Sequence, residues 1–136
     1  MDLALCLLEK QPDGTTKISF SGAKRPLYYT EGTDNQIFTF KGSRKSIGGE
    51  QNESIHFETQ SIVLPAKSCI YLCSDGITDQ NDAERVKLGE GKLKYAISSV
   101  ANKSMQEQFD AIEQMLLTHQ RGTLQRDDML LIGVRL

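Results

Sequence analysis

Two acidic stretches, each beside an apolar segment, carry the residues that could provide oxygen ligands for a cation. The apolar segment Cys69–Cys73 leads into Asp75 and Gly76, and Asp127 and Asp128 directly precede a second apolar segment. A carboxylate at the end of a buried strand, followed by a glycine that permits a sharp turn, can face a ligand at the rim of a sheet. The alternative is an ordinary strand-ending turn, in which Asp and Gly are common.

The two stretches can meet only if their strands are antiparallel neighbours. Residues 69–73 are too few for a helix and are typical of a strand buried on both faces, and residues 129–134 form another apolar run of strand length. In an antiparallel pair, the end of the first strand lies beside the start of the second, which would bring Asp75 and Asp127 together. Such carboxylates repel unless a proton or cation lies between them, and magnesium or manganese suits an all-oxygen site. In a parallel pair the acids would lie at opposite ends.

Composition limits the class of protein. The chain has 136 residues, 38% of them apolar, and a net charge of −2, which predicts a single domain over residues 1–136. No basic patch indicates nucleic-acid binding, and the apolar runs are too short for membrane insertion. Cys6, Cys69 and Cys73 are odd in number and lie within apolar runs, which favours reduced thiols of a cytoplasmic protein. His56 and His119 are isolated, so no catalytic role is assigned to either.

The first half of the sequence predicts a series of strands. The segment 2–8 is expected to be a buried strand, and its position at the very start suggests a piece of a longer protein. Pro12, Asp13 and Gly14 predict a hairpin turn. Further strands are expected at 17–21, 27–29, 36–40, 56–58 and 62–64, with a mobile polar loop at 41–52. Lys24 and Arg25 could contact an anion, but they are interpreted as solvated loop charges.

The second half changes to a helical period of 3.6 residues. One helix is predicted from the apolar face formed by Leu93, Ala96, Ile97, Val100 and Ala101. Another begins at a capping box of Ser104 and Glu107, and its apolar stripe consists of Met105, Phe109, Ile112 and Leu116. Strands, then two helices, then a last strand predict an α+β domain with mostly antiparallel sheets.

Several short motifs, in this order and spacing, resemble the metal-dependent (PPM, type 2C) serine/threonine protein phosphatases, and most closely their bacterial SpoIIE-like branch. They are Ser-Asp-Gly-Ile-Thr-Asp at 74–79, Lys-Leu-Gly at 87–89 and Asp-Asp-Met-Leu-Leu at 127–131. Met-Asp-Leu-Ala-Leu at 1–5 and Ser-Gly-Ala at 21–23 also resemble this branch. The resemblance implies part of a four-layer α-β-β-α sandwich, namely the C-terminal part of the phosphatase domain.

The same resemblance implies a chemistry and a set of site residues. Family members hydrolyse phosphoserine or phosphothreonine with water activated by two manganese or magnesium ions. Asp75 and Asp127 would be catalytic ligands of one ion and Asp79 would hold its water, with Gly76 and Asp128 as neighbours. The expected partner is a phosphoprotein, in this branch often an anti-sigma-factor antagonist.

Two family features are not found in this sequence. The Asp-Gly motif that bridges the two metals has no counterpart, since Asp13 and Gly14 lie in a hairpin turn, and the phosphate-contacting arginine of the N-terminal half is missing too. The chain alone is therefore expected to be a weak or inactive phosphatase, and to form homo-oligomers through the surface that the remaining half would cover.

Two alternatives remain beside this interpretation. A phosphatase of the haloacid-dehalogenase type would need a second Asp two residues after Asp75, where the sequence has Ile77. A phosphatase-like module that binds partners without catalysis would explain the missing metal motif.

Overall fold

The computed structural model of the protein describes residues 1–48 and 56–136. These residues form seven strands and three helices. In chain order the elements are β1 (Leu3–Lys10), β2 (Thr16–Ala23), β3 (Leu27–Tyr29), β4 (Phe38–Phe40), β5 (Gln60–Leu64), β6 (Cys69–Cys73), α1 (Asp75–Asp79), α2 (Gly89–Val100), α3 (Met105–His119) and β7 (Leu131–Arg135).

The strands form two sheets. The outer sheet has the order β1-β2-β5, and the central sheet has the order β4-β3-β6-β7. Every pairing between these strands is antiparallel, so the prediction of an α+β fold with mostly antiparallel sheets is confirmed. β6 and β7 are neighbours, with Cys73 at the end of β6 opposite Leu131 at the start of β7.

The two sheets and the helices make three layers with two hydrophobic cores. Between the sheets, Ile18 and Phe20 of the outer sheet pack with Ile70 of the central sheet. On the other face of the central sheet, Tyr71 packs with helix residues such as Leu93. All five side chains are at most 3% exposed, and burying one such side chain contributes about 1.5–3 kcal/mol. This packing fixes the central sheet, and with it the ends of β6 and β7.

β1 is an edge strand with one exposed face, so the prediction of a buried strand at residues 2–8 is wrong. Ala4 and Cys6 face the core between the sheets, whereas Leu3, Leu5 and Leu7 are 41%, 63% and 58% exposed. Successive side chains of a strand point to opposite faces, which places these leucines on the outside of the outer sheet. The prediction failed because apolar residues on both faces of the strand gave no alternation.

The exposed face of β1 predicts self-association. Val63 of β5 lies on the same outer face and is 56% exposed, and among the described strands β1 and β7 each lie at one edge of their sheet. Exposed apolar faces and open sheet edges favour association. We expect dimers or larger oligomers in light scattering, and a shift towards monomer for the double variant Leu5→Lys, Leu7→Lys. Leu124→Lys, at a side chain 87% exposed in a loop, is the matched control. A wild-type monomer at high protein concentration would contradict this prediction.

Several predicted boundaries differ from the structure. The strand expected at 36–40 is only Phe38–Phe40, the segment 56–58 is not a strand, and the last strand begins at residue 131 rather than 129. Part of the loop expected at 41–52 falls on residues 49–55, which lie outside the described residues.

Both helices of the second half are confirmed, and so is the capping box. The Ser104 side chain accepts a hydrogen bond from the Glu107 amide, and the Glu107 side chain accepts one from the Ser104 amide. Phe109 was expected in the buried stripe, but it is 57% exposed. The buried position before it is taken by Gln108, which accepts a hydrogen bond of 2.8 Å from the hydroxyl of Tyr71. In the part of the chain described, none of the helices combines the length and hydrophobicity of a membrane span.

Candidate metal site

Ser74 joins the end of β6 to the segment that precedes β7. Its amide donates to the carbonyl oxygen of Leu130 at 2.9 Å, and its hydroxyl donates to the carbonyl oxygen of Asp128 at 2.8 Å. The amide of Leu130 in turn donates to the Ser74 hydroxyl at 2.9 Å. These bonds place the backbones of the two acidic stretches side by side, so the prediction of neighbouring antiparallel strands is confirmed. Ser74 is the first residue of the Ser-Asp-Gly-Ile-Thr-Asp motif, but the sequence indicated no role for its side chain.

Gly76 allows this close approach of the two backbones. A Cβ atom at this position would overlap the Asp128 carbonyl oxygen and would lie 2.9 Å from the carbonyl carbon of the same residue. Gly76 lies within the short helix α1, and its φ is not positive. The expectation that this glycine permits a sharp turn is therefore corrected, because Gly76 is needed for the contact with the opposite backbone.

Asp75 begins α1 and forms an ion pair that the sequence did not indicate. Nη2 of Arg25 donates to Oδ2 of Asp75 at 3.1 Å and to Oδ2 of Asp2 at 2.9 Å. The Arg25 side chain is only 19% exposed. The interpretation of Arg25 as a solvated loop charge is therefore wrong. The reason is that the start of β1, the β2–β3 connection and the end of β6 meet at one edge of the two sheets.

Asp2 is a further carboxylate at this edge. The hydroxyl of Ser46 donates to Asp2 Oδ1 at 2.7 Å, and Nζ of Lys24 lies 3.9 Å from the same oxygen. The hydrogen bond from Ser46, together with the nearby Arg25 and Lys24, holds the pKa of Asp2 below its ordinary value. Asp2 is thus a carboxylate at neutral pH. Its position in the Met-Asp-Leu motif was the one sequence indication of a role.

The other predicted site residues lie nearby with exposed side chains. Asp127 accepts a hydrogen bond on Oδ1 from the amide of Asp128 at 2.8 Å. Asp79, whose side chain is 56% exposed, accepts one from Nζ of Lys87 at 3.0 Å. Within residues 1–48 and 56–136, no group of three or more Asp, Glu, His or Cys side chains has a geometry that could hold a metal ion. The joint binding of an ion by Asp75 and Asp127 therefore stays a prediction.

Gln80 holds the segment that leads to Asp127. This side chain is 1% exposed, and its Nε2 donates to the carbonyl oxygen of Leu124 at 3.1 Å and to the hydroxyl of Thr123 at 3.3 Å. Its Oε1 accepts from the amide of Arg126 at 3.2 Å. Gln80 follows α1 directly, so it fixes the approach to Asp127 relative to the helix that begins with Asp75. The sequence did not indicate this residue, because glutamine is mostly a surface residue.

A cavity of about 290 Å³ opens beside these groups, between the edges of the two sheets. Its lining includes Asp2, Arg25, Asp75 and the exposed Leu130. Cys73 also lines it, and burial raises the pKa of this thiol to about 11. The thiol is protonated at neutral pH and is no nucleophile there, which leaves carboxylates and a guanidinium as the charged groups of the cavity.

The chain matches one protein family over nearly its whole length. Residues 3–136 match the family model described as "Stage II sporulation protein E (SpoIIE)". None of the curated proteins is a detectable match for this chain.

Solved structures show the same fold. The SiaA-PP2C domain of Pseudomonas aeruginosa is 25% identical, with a TM-score of 0.78 over 88% of this chain and 46% of that chain. The phosphatase domain of SpoIIE from Bacillus subtilis is 20% identical, with a TM-score of 0.67 over 98% of this chain and 57% of that one. Its manganese-presoaked structure is 22% identical, with a TM-score of 0.68 over 98% and 56%. This chain thus spans about half the length of the solved structures it matches. The resemblance to the SpoIIE-like type 2C phosphatases is confirmed, and the chain belongs to the SpoIIE family.

Proposed function

We propose that this chain provides one half of a metal-dependent phosphatase site that hydrolyses phosphoserine or phosphothreonine in a regulatory protein of bacterial signalling. The observation that carries the proposal is the close contact between the Asp75 and Asp127 stretches, made by Ser74 and Gly76. The family match supports a phosphatase-type protein. The identity of the reaction and of its substrate are our inference.

The donor set fits a hard cation. Asp75 and Asp127 offer carboxylate oxygens at an exposed edge, which is the ligand type that magnesium and manganese prefer. Such an ion, when bound, supplies Lewis acidity that activates water and offsets charge on phosphoryl oxygens. Ser74 and Gly76 hold the Asp75 backbone in place, and Asp79 presents an exposed carboxylate that can accept a hydrogen bond from water. The manganese-presoaked relative supports the same choice of ions.

The proposed substrate is a phosphoprotein, of which an anti-sigma-factor antagonist is one example. A protein substrate is consistent with the exposure of the Asp75 side chain, which is 48% accessible to solvent at this edge. The free thiols of Cys6, Cys69 and Cys73 support a reducing compartment such as the cytoplasm as the place of action.

A non-catalytic, phosphatase-like interaction module is the second candidate. The observation that favours it is that the described residues hold no three-ligand metal cluster. Magnesium binds weakly to one or two carboxylates alone. We therefore expect this chain alone to show weak hydrolysis or none.

Hydrolysis of p-nitrophenyl phosphate with millimolar manganese tests the proposal. We expect slow, manganese-dependent turnover that falls at least about tenfold in Asp75→Asn, since the variant loses a charged ligand. Asp110→Asn, on the exposed side of α3, is the control and should leave turnover unchanged. Turnover that survives Asp75→Asn would contradict the assignment. Turnover at the level of a complete enzyme would show that the half-site suffices, and complete inactivity together with no manganese binding would favour the interaction module.

A further inference from the structure

Arg25 joins two carboxylates from different parts of the fold through a single nitrogen atom. Nη2 is 2.9 Å from Asp2 Oδ2 and 3.1 Å from Asp75 Oδ2. Asp2 precedes β1, Arg25 lies between β2 and β3, and Asp75 follows β6. The guanidinium group is thus in an ion pair with the proposed ligand Asp75, and it occupies a position between two carboxylates that a cation would favour.

The geometry of this pair is not that of a structural arginine clamp. A structural arginine commonly pairs with one carboxylate through two parallel hydrogen bonds. Here Arg25 donates to Asp75 through a single nitrogen that it shares with Asp2, and the buried Nε of Arg25 has no hydrogen-bond partner within the described residues. The hydrogen bond from Arg25 to Asp75 can therefore break while the bond to Asp2 keeps the guanidinium group at this edge of the sheets.

Two positive charges at one carboxylate oppose each other. The Asp75 side chain is 48% exposed, so solvent weakens this repulsion, but Arg25 is mostly shielded from solvent and its charge acts over a short distance. A divalent ion that binds Asp75 must displace the guanidinium or bind beside it. In either case the presence of Arg25 lowers the affinity for the ion.

We propose that Arg25 competes with the divalent cation for Asp75 and so sets the cation concentration at which the site fills. The inference rests on the proposed function, because it takes Asp75 as a metal ligand. In this role Arg25 acts on the ion through Asp75, and neither the family match nor the sequence motifs indicate such a role.

Manganese titration followed by electron paramagnetic resonance of the free ion tests this role without any activity measurement. Arg25→Met is expected to bind manganese about tenfold more tightly than the wild type, because the competing charge is gone. Arg25→Lys keeps the charge and should stay within about twofold of the wild type. Lys24→Met removes the neighbouring charge, which lies 3.9 Å from Asp2, and should also change the affinity by less than about twofold. Circular dichroism of each variant establishes that it is folded.

The direction of the change separates this role from a purely structural one. If Arg25 served only to hold the edge together, Arg25→Met would loosen the site and weaken manganese binding. If Arg25→Met binds manganese no more tightly than the wild type, Arg25 does not compete with the ion. If the wild type also binds manganese and Asp75→Asn does not, the proposed function still stands. If neither the wild type nor Arg25→Met binds manganese at millimolar concentration, both are overturned. Should Arg25→Met fail to fold, Arg25→Gln provides the same comparison.

Discussion

Gly76→Ala is expected to push the two acidic stretches apart and to lower the free energy of unfolding by about 3 kcal/mol. The added methyl group would overlap the carbonyl of Asp128, a backbone group that cannot rotate away. Relief of the overlap requires a shift of α1 or of the segment before β7, which breaks the hydrogen bonds that Ser74 makes with that segment. Urea denaturation measures the loss of stability, and manganese binding should weaken with it.

Gly91→Ala is the matched control for this substitution. Gly91 is also a helical glycine, but a Cβ atom there would meet nothing within 4 Å. Alanine at an unobstructed helix position is expected to raise the free energy of unfolding by about 0.5–1 kcal/mol. If both variants had the stability of the wild type or better, the close contact between Gly76 and Asp128 would be refuted.

Gln80→Leu is the second substitution with a large expected effect. It would remove the bonds to Leu124, Thr123 and Arg126, and would leave buried backbone groups without partners. Each group left in this way costs about 1–3 kcal/mol, so we expect the free energy of unfolding to fall by about 3 kcal/mol. The amide of Arg126 should also exchange its hydrogen faster, because it loses its acceptor.

Gln106→Leu provides the comparison for Gln80→Leu. Gln106 bonds to Asp110 across one exposed helical turn, and loss of such a bond should change stability by less than about 0.5 kcal/mol. Hydrogen exchange followed by mass spectrometry reports the segment 123–126 in both variants. Equal exchange of this segment in Gln80→Leu and in the wild type would mean that Gln80 does not hold the approach to Asp127.

Local patterns were sufficient to predict some of the elements around the candidate site. The apolar run Cys69–Cys73 is short and contains β-branched and aromatic residues, which predicts a buried strand with Asp75 just beyond its end. The capping box of Ser104 and Glu107 spans three residues, so it too is visible in the sequence. A strand and a capping box both depend on residues that are close in sequence, and the structure confirms both.

Contacts between distant segments could not be predicted in this way. The bond between Arg25 and Asp75 joins residues 50 positions apart, and that between Gln80 and Arg126 joins residues 46 apart. Nothing in the local sequence of Arg25 distinguishes a partly buried ion pair from a solvated charge. The same limit explains β1, whose exposure depends on which strands border it rather than on its own leucines.

We propose that Asp75 and Asp127 bind the same divalent ion, and nuclear magnetic resonance (NMR) tests this directly. Manganese is paramagnetic and broadens the NMR signals of nuclei close to it, so it reports which residues surround the bound ion. We predict that low manganese concentrations broaden the amide signals of residues 74–79 and 126–130 together, and that both effects disappear in Asp75→Asn and in Asp127→Asn. Broadening of only one stretch, or broadening of both that persists in Asp75→Asn or in Asp127→Asn, would contradict a shared site.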